Sequence, residues 1–219
     1  MIRKTLTLML LVGAAVLTAC SEHLNEEADQ YYDWQNRNNT AFDQKMQTAK
    51  AAIASAKAQY GINWEANCRY RLFRNYQLVD VSQANSHDSI VVEVIEAGTG
   101  DISPIYTDTV RYNYLGRLLP TDSYPEGKIF SHSGSTVYPA DIFNPTSSSP
   151  YKAAISSQIQ GVATALQNMH IGDHWIVTIP AELAYGTSGT SNIPGSSVLF
   201  FEMQLKAFYH PGQPVPEWR

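Results

Sequence analysis

The chain has few charged residues, few cysteines and no grouping of residues that would suit a metal ion. Asp, Glu, Lys and Arg make up only 16% of its 219 residues and the net charge is −5, which argues against nucleic acid as a partner. The six histidines are not spaced as metal ligands, so we expect neither a metal nor a cofactor. Hydrophobic residues make up 44% of the chain, which is enough for a core, and the 13 tyrosines suit an aromatic-walled pocket.

Long hydrophobic runs are absent except near the N-terminus. There, a positively charged start precedes an apolar stretch from Leu6 to Leu17, which is too short for a comfortable membrane span. The stretch ends in Leu17-Thr18-Ala19-Cys20, which resembles the processing signal of a bacterial lipoprotein. We therefore expect residues 1–19 to be a signal peptide and Cys20 to carry lipid, with Ser21 favouring the outer membrane. Whether the protein faces the periplasm or the outside is open.

Residues 20–85 are predicted to hold a lipid tether, a helix and an extended linker. The helix should run from about Asn25 to Tyr60, because Gly61 is a typical stop. Its apolar face recurs at helical spacing: Phe42, Met46, Ala49, Ile53, Ala56 and Tyr60. This face suits packing against the chain's own domain and dimer formation equally well. Cys68, in the linker, is the one cysteine left with a free thiol after processing, and we expect it to be buried, with an intermolecular bridge as the lesser alternative.

Residues 86–210 are predicted to form a domain of several strands and one short helix, followed by an irregular tail at 211–219. Strands are expected from Asp88 to Glu96, Thr109 to Leu115, His174 to Ile179 and Ser197 to Tyr209, after an extended segment from Arg69 to Val81. The helix is expected from Gly161 to His170 and a long loop from Ser131 to Pro150. Because strands and helices do not alternate, this order predicts an α+β fold. An antiparallel twisted sheet would wrap around one short helix, with an N-terminal helical extension.

The same region carries four stretches that match the motifs of one known family. Tyr112-Asn113-Tyr114-Leu115-Gly116 resembles V-H-Y-T-G, and Gly127-Lys128-Ile129-Phe130-Ser131-His132-Ser133 resembles G-x-x-F-D-S-S. Gln158-Ile159-Gln160-Gly161-Val162-Ala163-Thr164-Ala165-Leu166 resembles V-I-x-G-W-x-x-A-L. From Ile179 to Met203 follow an apolar strand, a turn with a Tyr, a Gly/Ser/Pro loop and a second apolar strand. By these motifs, the chain from about Val94 to Ala207 resembles the FKBP-type peptidyl-prolyl isomerases.

The resemblance implies a pocket for the proline ring of a polypeptide. Its lining would be apolar and aromatic: Tyr114, Phe130, Val162, Ile193 and Phe201. The Ile159 backbone N–H would hold a substrate carbonyl, and the Tyr185 hydroxyl would hydrogen-bond the substrate backbone. Tyr151 matches an aromatic near the bulge of the family. Rotation about an X-Pro bond needs no nucleophile. The expected active site is therefore an apolar pocket that excludes water and carries a few hydrogen-bond donors.

Two residues depart from the family pattern. Ser131 stands where the family has Asp, and Val162 stands where it has Trp. The second change removes an aromatic surface on the order of 200 Å² and leaves a larger or differently filled cup. The insert between Ser133 and Pro150 could cover the site or supply new walls for it, with Tyr138 and Phe143 as candidates.

The resemblance implies an isomerase that acts on X-Pro bonds of cell-envelope proteins and assists their folding. Its partners would be proline-containing polypeptide segments and, through the lipid, a membrane. Uncatalysed rotation about an X-Pro bond takes tens of seconds, so an isomerase at the membrane would accelerate a slow step of folding. The alternative is a catalytically weak or inactive FKBP-like chaperone or binding lipoprotein, which the residues Ser131 and Val162 would favour. A third class is a surface lipoprotein that binds glycans through exposed aromatic side chains.

Overall fold

The computed structural model describes residues 30–77, 85–134, 143 and 150–218. Cys20 and Tyr138, both named above, lie outside these residues. The described helices and strands are α1 (Trp34–Tyr60), β1 (Tyr70–Arg74), β2 (Ser89–Glu96), β3 (Thr109–Arg117), β4 (Ile129–His132), β5 (Tyr151–Ala154), α2 (Gln160–Leu166), β6 (His174–Ile179) and β7 (Leu199–Tyr209). In this part of the chain, no helix combines the length and the apolar character that crossing a membrane requires.

The strands form one antiparallel sheet in the order β1-β2-β6-β7-β3-β4, and β5 pairs with the other part of β3. The short helix α2 packs against one face of this sheet, on β1, β2 and β6. The predicted fold class is therefore confirmed: an antiparallel α+β sheet around one short helix, with a helix on its N-terminal side. β1 lies within the segment from Arg69 to Val81 that was predicted to be extended, but it belongs to the sheet and not to a linker.

The main core lies between α2 and the inner face of the sheet. Along β7, the side chains of Leu199, Phe201, Met203 and Leu205 enter this core, while the residues between them are less buried. This alternation is the period of two that the sequence predicts for a strand with one buried face. The buried α2 residues Val162, Ala163, Ala165 and Leu166 close the core from the other side. β7 and α2 therefore meet in the layer where the candidate site lies.

The long helix α1 covers the opposite face of the sheet. Phe42, Met46 and Ala49 form a second cluster with Val91 and Val198. Each of these two valines is adjacent in the sequence to a residue whose side chain enters the main core. Most of the predicted apolar face of α1 is buried in this way, but Ile53 is only half-buried and Tyr60 is exposed. Both lie in the last third of the helix, where Ala56 between them is still buried. In the structure, α1 thus packs against its own domain.

Several boundaries differ from the predicted ones. α1 begins at Trp34 after a turn at residues 31–33 and continues without a break to Tyr60, where Gly61 with a φ of 56° ends it as predicted. α2 ends at Leu166 rather than at His170, because its last turn tightens and the Asn168 N–H bonds the Ala165 carbonyl. Cys68 is half-buried, so the prediction of a buried thiol was wrong.

Candidate active site

Strand β3 and its neighbours bring five aromatic rings together at one end of the inner face. Tyr112 and Tyr114, two residues apart on β3, have ring centroids 5.4 Å apart. The antiparallel register of β3 with β5 places Tyr151 opposite Tyr112, with their rings 5.7 Å apart. Phe201 from β7 lies 6.0 Å from Tyr114, and Phe130 from β4 lies 5.4 Å from Phe201. We call these five residues the aromatic cluster.

Gly116 lets two rings of the aromatic cluster approach the backbone of β3 closely. It pairs with Phe201 across β3 and β7 and with Ser131 across β3 and β4. A Cβ atom on residue 116 would lie only 2.5 Å from Cζ of Phe130 and 3.0 Å from Cε1 of Phe201. The glycine of the Y-x-G motif is therefore explained by the close approach of these two rings, since any side chain there would displace them.

Ser131 takes part in the site although it replaces the expected Asp. Its Oγ lies 2.9 Å from the Tyr114 hydroxyl oxygen, and the two groups are hydrogen-bonded. Burial raises the pKa of Tyr114, while the hydrogen bond to Ser131 acts in the opposite direction. The contact is neutral rather than charged, so it fixes the Tyr114 ring but holds it less strongly than a carboxylate would.

Tyr112 ties the cluster to the segment that begins α2. Its hydroxyl donates a hydrogen bond to Oε1 of Gln158 at 2.8 Å. Burial, with the nearby Tyr114, Tyr151 and Tyr185 as smaller contributions, raises the pKa of Tyr112 well above its ordinary value. The hydroxyl is therefore neutral and acts as a donor that holds Gln158, the residue before Ile159.

Ile159 and Val162 enter the site from the start of α2. The Ile159 side chain packs against the main core, and its backbone N–H has no acceptor among the described residues. Ile159 is also the residue that caps α2, where N–H groups lack partners within the helix. Val162 lies buried in the same core cluster as Tyr112 and Phe201. The predicted donor and the predicted floor residue are therefore both beside the aromatic cluster.

The loop between β6 and β7 contributes Tyr185 and Ile193. Tyr185 is 39% exposed, lies close enough to Tyr112 and Tyr114 to affect their pKa values, and its hydroxyl has no partner among the described residues. Ile193 is buried in the main core. The loop is held by its own backbone, since the Thr190 N–H bonds the Ile193 carbonyl at 2.8 Å and the Ser196 N–H bonds the Gly186 carbonyl at 2.8 Å. All seven residues predicted for the pocket are thus brought together; their roles stay predictions.

Phe143 does not cover this site. Its ring stacks on His174 at 4.9 Å, and His174 hydrogen-bonds Glu202, whose neighbours Phe201 and Met203 are the inner-face residues of β7. Phe143 therefore lies on the other face of the sheet, and the proposal that it closes the pocket was wrong. The sequence has no periodic pattern around residue 143 that would have indicated which face it contacts.

A comparison with known protein families bears on this geometry. Residues 100–206 match the family model described as FKBP-type peptidyl-prolyl cis-trans isomerase. This stretch is therefore similar to the FKBP-type family. All seven predicted pocket residues, from Tyr114 to Phe201, fall inside the matched range. The matched range also contains the aromatic cluster, the start of α2 and the loop that carries Tyr185.

Individual relatives agree with the family match. The chain is 36% identical over 123 residues to the FKBP-type 22 kDa peptidyl-prolyl cis-trans isomerase of Escherichia coli (strain K12), which covers 55% of this chain and 51% of that protein. It is 28% identical over 180 residues to the FKBP-type isomerase FkpA of the same organism, covering 81% of this chain and 60% of that protein. It is 32% identical over 140 residues to the isomerase FKBP10 of Mus musculus, covering 63% of this chain and 21% of that protein. The chain thus spans less than two thirds of each of these relatives.

Two features of the candidate site are not predicted by the sequence analysis. Tyr112 appears there only as part of a motif, although the period of two places it on the same face of β3 as Tyr114. Gln158 likewise appears only within a motif, and no local pattern indicates that its side chain accepts a hydrogen bond from a residue 46 positions away. The first feature was within reach of strand periodicity, whereas the second depends on the packing of α2 against β3.

Proposed function

We propose that this chain is a peptidyl-prolyl cis-trans isomerase that acts on X-Pro bonds. The observation that carries the proposal is the aromatic cluster with two donors beside it, the Tyr185 hydroxyl and the Ile159 N–H, neither of which has a partner among the described residues. Tyr114, Phe130 and Phe201 would surround the proline ring. The match of residues 100–206 to the FKBP-type family model supports this assignment.

The chemistry follows from the barrier to rotation about the amide bond, which is about 18–20 kcal/mol because of resonance. A planar amide is stabilised by water at its carbonyl, so an apolar cup that removes this water favours the twisted state. The two donors would hold the carbonyl groups on either side of the bond while the proline ring stays in the cup. Binding that is stronger in the twisted state than in the planar one lowers the barrier.

A protease-coupled isomerisation assay on the purified chain tests the proposal. A short peptide with a bulky residue before proline is the substrate, and Tyr185→Phe removes only the hydroxyl. We expect clear acceleration by the chain and a loss of about fivefold in kcat/KM in the variant, as one neutral hydrogen bond predicts. Tyr32→Phe is the matched control, since Tyr32 is 76% exposed and lies before α1. A folded chain with no acceleration would reject the isomerase and leave an FKBP-type binding module.

We further propose that the substrates are proteins of the cell envelope and that the protein is held at a membrane, most simply the outer membrane, by lipid on Cys20. The Leu17-Thr18-Ala19-Cys20 motif supports this proposal. A dimer formed through the N-terminal helix is also retained as a proposal. Because Phe42 and Met46 pack on the sheet of their own chain, such a dimer would use another side of α1.

A further inference from the structure

A cleft separate from the aromatic cluster lies on the other side of Gln158. It has a volume of about 290 Å³, and it is bordered by the turn after β1, by Tyr106 before β3 and by the outer side of α2. None of the residues that line it is charged, and five of them carry side-chain amides. We call it the amide cleft.

The walls of the amide cleft are cross-linked. Asn75 is buried, and its Nδ2 donates to Oγ1 of Thr164 on α2 at 3.1 Å. The Tyr76 hydroxyl donates to Oδ1 of Asn168 at 2.8 Å, and Nε2 of Gln77 donates to the Tyr106 hydroxyl at 3.1 Å. These bonds fix the turn after β1 against α2, so the cleft is a built feature of the domain and not a gap between loose loops.

The amide cleft and the candidate active site share one wall. Gln158 lines the cleft, while its Oε1 accepts the hydrogen bond from Tyr112 of the aromatic cluster. The next residue, Ile159, carries the N–H proposed to hold a substrate carbonyl, and Gln160 after it lines the cleft again. A chain held at Ile159 can therefore continue directly into the cleft.

We propose that the amide cleft is a second subsite, which binds the polypeptide segment that flanks the X-Pro bond. The inference rests on the proposed isomerase function, because it takes the same polypeptide as ligand. Side-chain amides carry both donors and acceptors, as the peptide backbone does. Four of the five amides are bonded within the chain, whereas the exposed side chain of Gln160 has no hydrogen-bond partner among the described residues and can pair with the backbone of any sequence. The absence of charge in the lining fits an uncharged segment, and the exposed rings of Tyr76 and Tyr106 provide contact area at low entropic cost. The substrate class is therefore an extended, unfolded chain with neutral residues next to proline.

The test compares two peptides that share the same central X-Pro unit. One is the minimal peptide of the isomerisation assay, and the other has uncharged flanks and about ten residues, extending over roughly 33 Å. The cleft variant is Tyr76→Ala with Tyr106→Ala, residues that are 61% and 40% exposed. The matched control is Tyr32→Ala with Tyr60→Ala, which are 76% and 40% exposed and lie on the N-terminal side of the chain. The full purified chain is used throughout, and binding of the long peptide is measured by calorimetry beside the kinetics.

We expect the cleft variant to lose about fivefold or more in kcat/KM on the long peptide, as truncation of interface anchors does, and to act on the short peptide within about twofold of the unaltered chain. The control variant should match the unaltered chain on both peptides. Equal losses on both peptides, or no loss on the long one, would overturn the second subsite and leave the isomerase standing.

The inference remains testable if the isomerase itself fails. When neither peptide is accelerated, weaker calorimetric binding of the long peptide to the cleft variant than to the control still supports the subsite. Equal binding to the two variants overturns it. Binding of a neutral oligosaccharide such as maltohexaose that the cleft variant abolishes, without any effect on the peptide, would also overturn it in favour of a glycan site.

Discussion

Through its buried hydroxyl, Tyr112 connects the aromatic cluster to the segment that begins α2. It reaches Gln158 at 2.8 Å, and burial raises its pKa well above the ordinary value of 10.0. Because the folded protein keeps this proton and the unfolded chain releases it above pH 10.0, the free energy of unfolding should fall as the pH rises beyond that value. Below pH 10.0, the neutral hydroxyl contributes its full stabilisation to the folded protein.

The prediction concerns Tyr112→Phe, which removes the hydroxyl and keeps the ring. At neutral pH the variant should be about 1 kcal/mol less stable, because the hydrogen bond to Gln158 is lost. Above the ordinary tyrosine pKa this difference should shrink by about 1.4 kcal/mol per pH unit, since only the unaltered chain loses a proton from Tyr112 on unfolding. Urea unfolding between neutral and alkaline pH measures it. Parallel pH curves for the two proteins would contradict the prediction.

Val162 stands where the FKBP motifs have Trp, and Tyr112 stands where they have Val. Compared with the motifs, the large and the small side chain have changed places. Both are 3% exposed and lie in one core cluster, and the Tyr112 hydroxyl reaches the residue four positions before Val162. We infer that the ring of Tyr112 takes up part of the volume that a tryptophan would fill. The bottom of the pocket would then be filled by the Tyr112 ring instead of being empty.

This inference predicts strong coupling between the two positions. Val162→Trp alone should overpack the core and destabilise the protein by about 1–3 kcal/mol. Tyr112→Val in the same chain should recover much of this loss, because it restores the volume pattern of the family. A double-mutant cycle by urea unfolding measures the coupling, and additive effects of the two changes would show that they do not share one space.

At the scale of elements, α1 is connected to the loop that carries Tyr185 and Ile193. The Trp34 Nε1–H donates to Oγ of Ser197 at 2.8 Å, and Oδ1 of Asn38 accepts the Val198 N–H at 2.9 Å. Ser197 in turn donates to the Pro194 carbonyl at 2.6 Å. The N-terminal helix therefore holds the end of the site loop, although it lies on the other face of the sheet.

Asn38→Leu tests this connection. The substitution keeps the size of the side chain and leaves the Val198 N–H, which is buried, without an acceptor, so we expect a loss of about 1–3 kcal/mol in the free energy of unfolding. A fall in kcat/KM should accompany it, since the loop that positions Tyr185 is released at one end. Asn39→Leu is the control, because that residue is only half-buried. Equal effects of the two variants would argue against a specific role for Asn38.

Helix and strand types were predictable from local pattern, whereas their partners were not. The apolar spacing from Phe42 to Ala49 predicts a helix with one buried face, but it suits a dimer as well as the chain's own sheet. The structure places this face on Val91 and Val198, which are more than forty residues away along the chain. Such a choice depends on long-range packing, and periodicity carries no information about it.

For the whole molecule, the sheet has a different helix packed on each face. One face carries α2 and the aromatic cluster, and the other carries α1, which follows the segment with Cys20. Tyr31 and Trp34, near the N-terminal end of the described chain, pack against the main core rather than on the second cluster, so α1 contacts both sides of the sheet.

The proposed attachment gives a prediction for the intact protein. Cys20→Ala should move the protein from the membrane fraction to the soluble fraction and abolish labelling with radioactive palmitate, because a lipid anchor needs this thiol. Cys68→Ala is the matched control, since these are the two cysteines of the chain. Retention of the Cys20→Ala variant in the membrane fraction would rule out the lipid anchor.

The amino-acid sequence by itself determined the fold class and the family resemblance, and it named the candidate pocket residues, whose roles stay predictions. These properties are encoded locally, in the period of two along β7, in the turn residues around Tyr185 and in short motifs such as the one that ends at Gly116. Only the tertiary structure decided that Tyr151 faces Tyr112, that Gln158 is shared by the cluster and the amide cleft, and that Phe143 lies elsewhere. These contacts depend on strand register and on hydrogen bonds between residues far apart in the chain, and no local pattern specifies either.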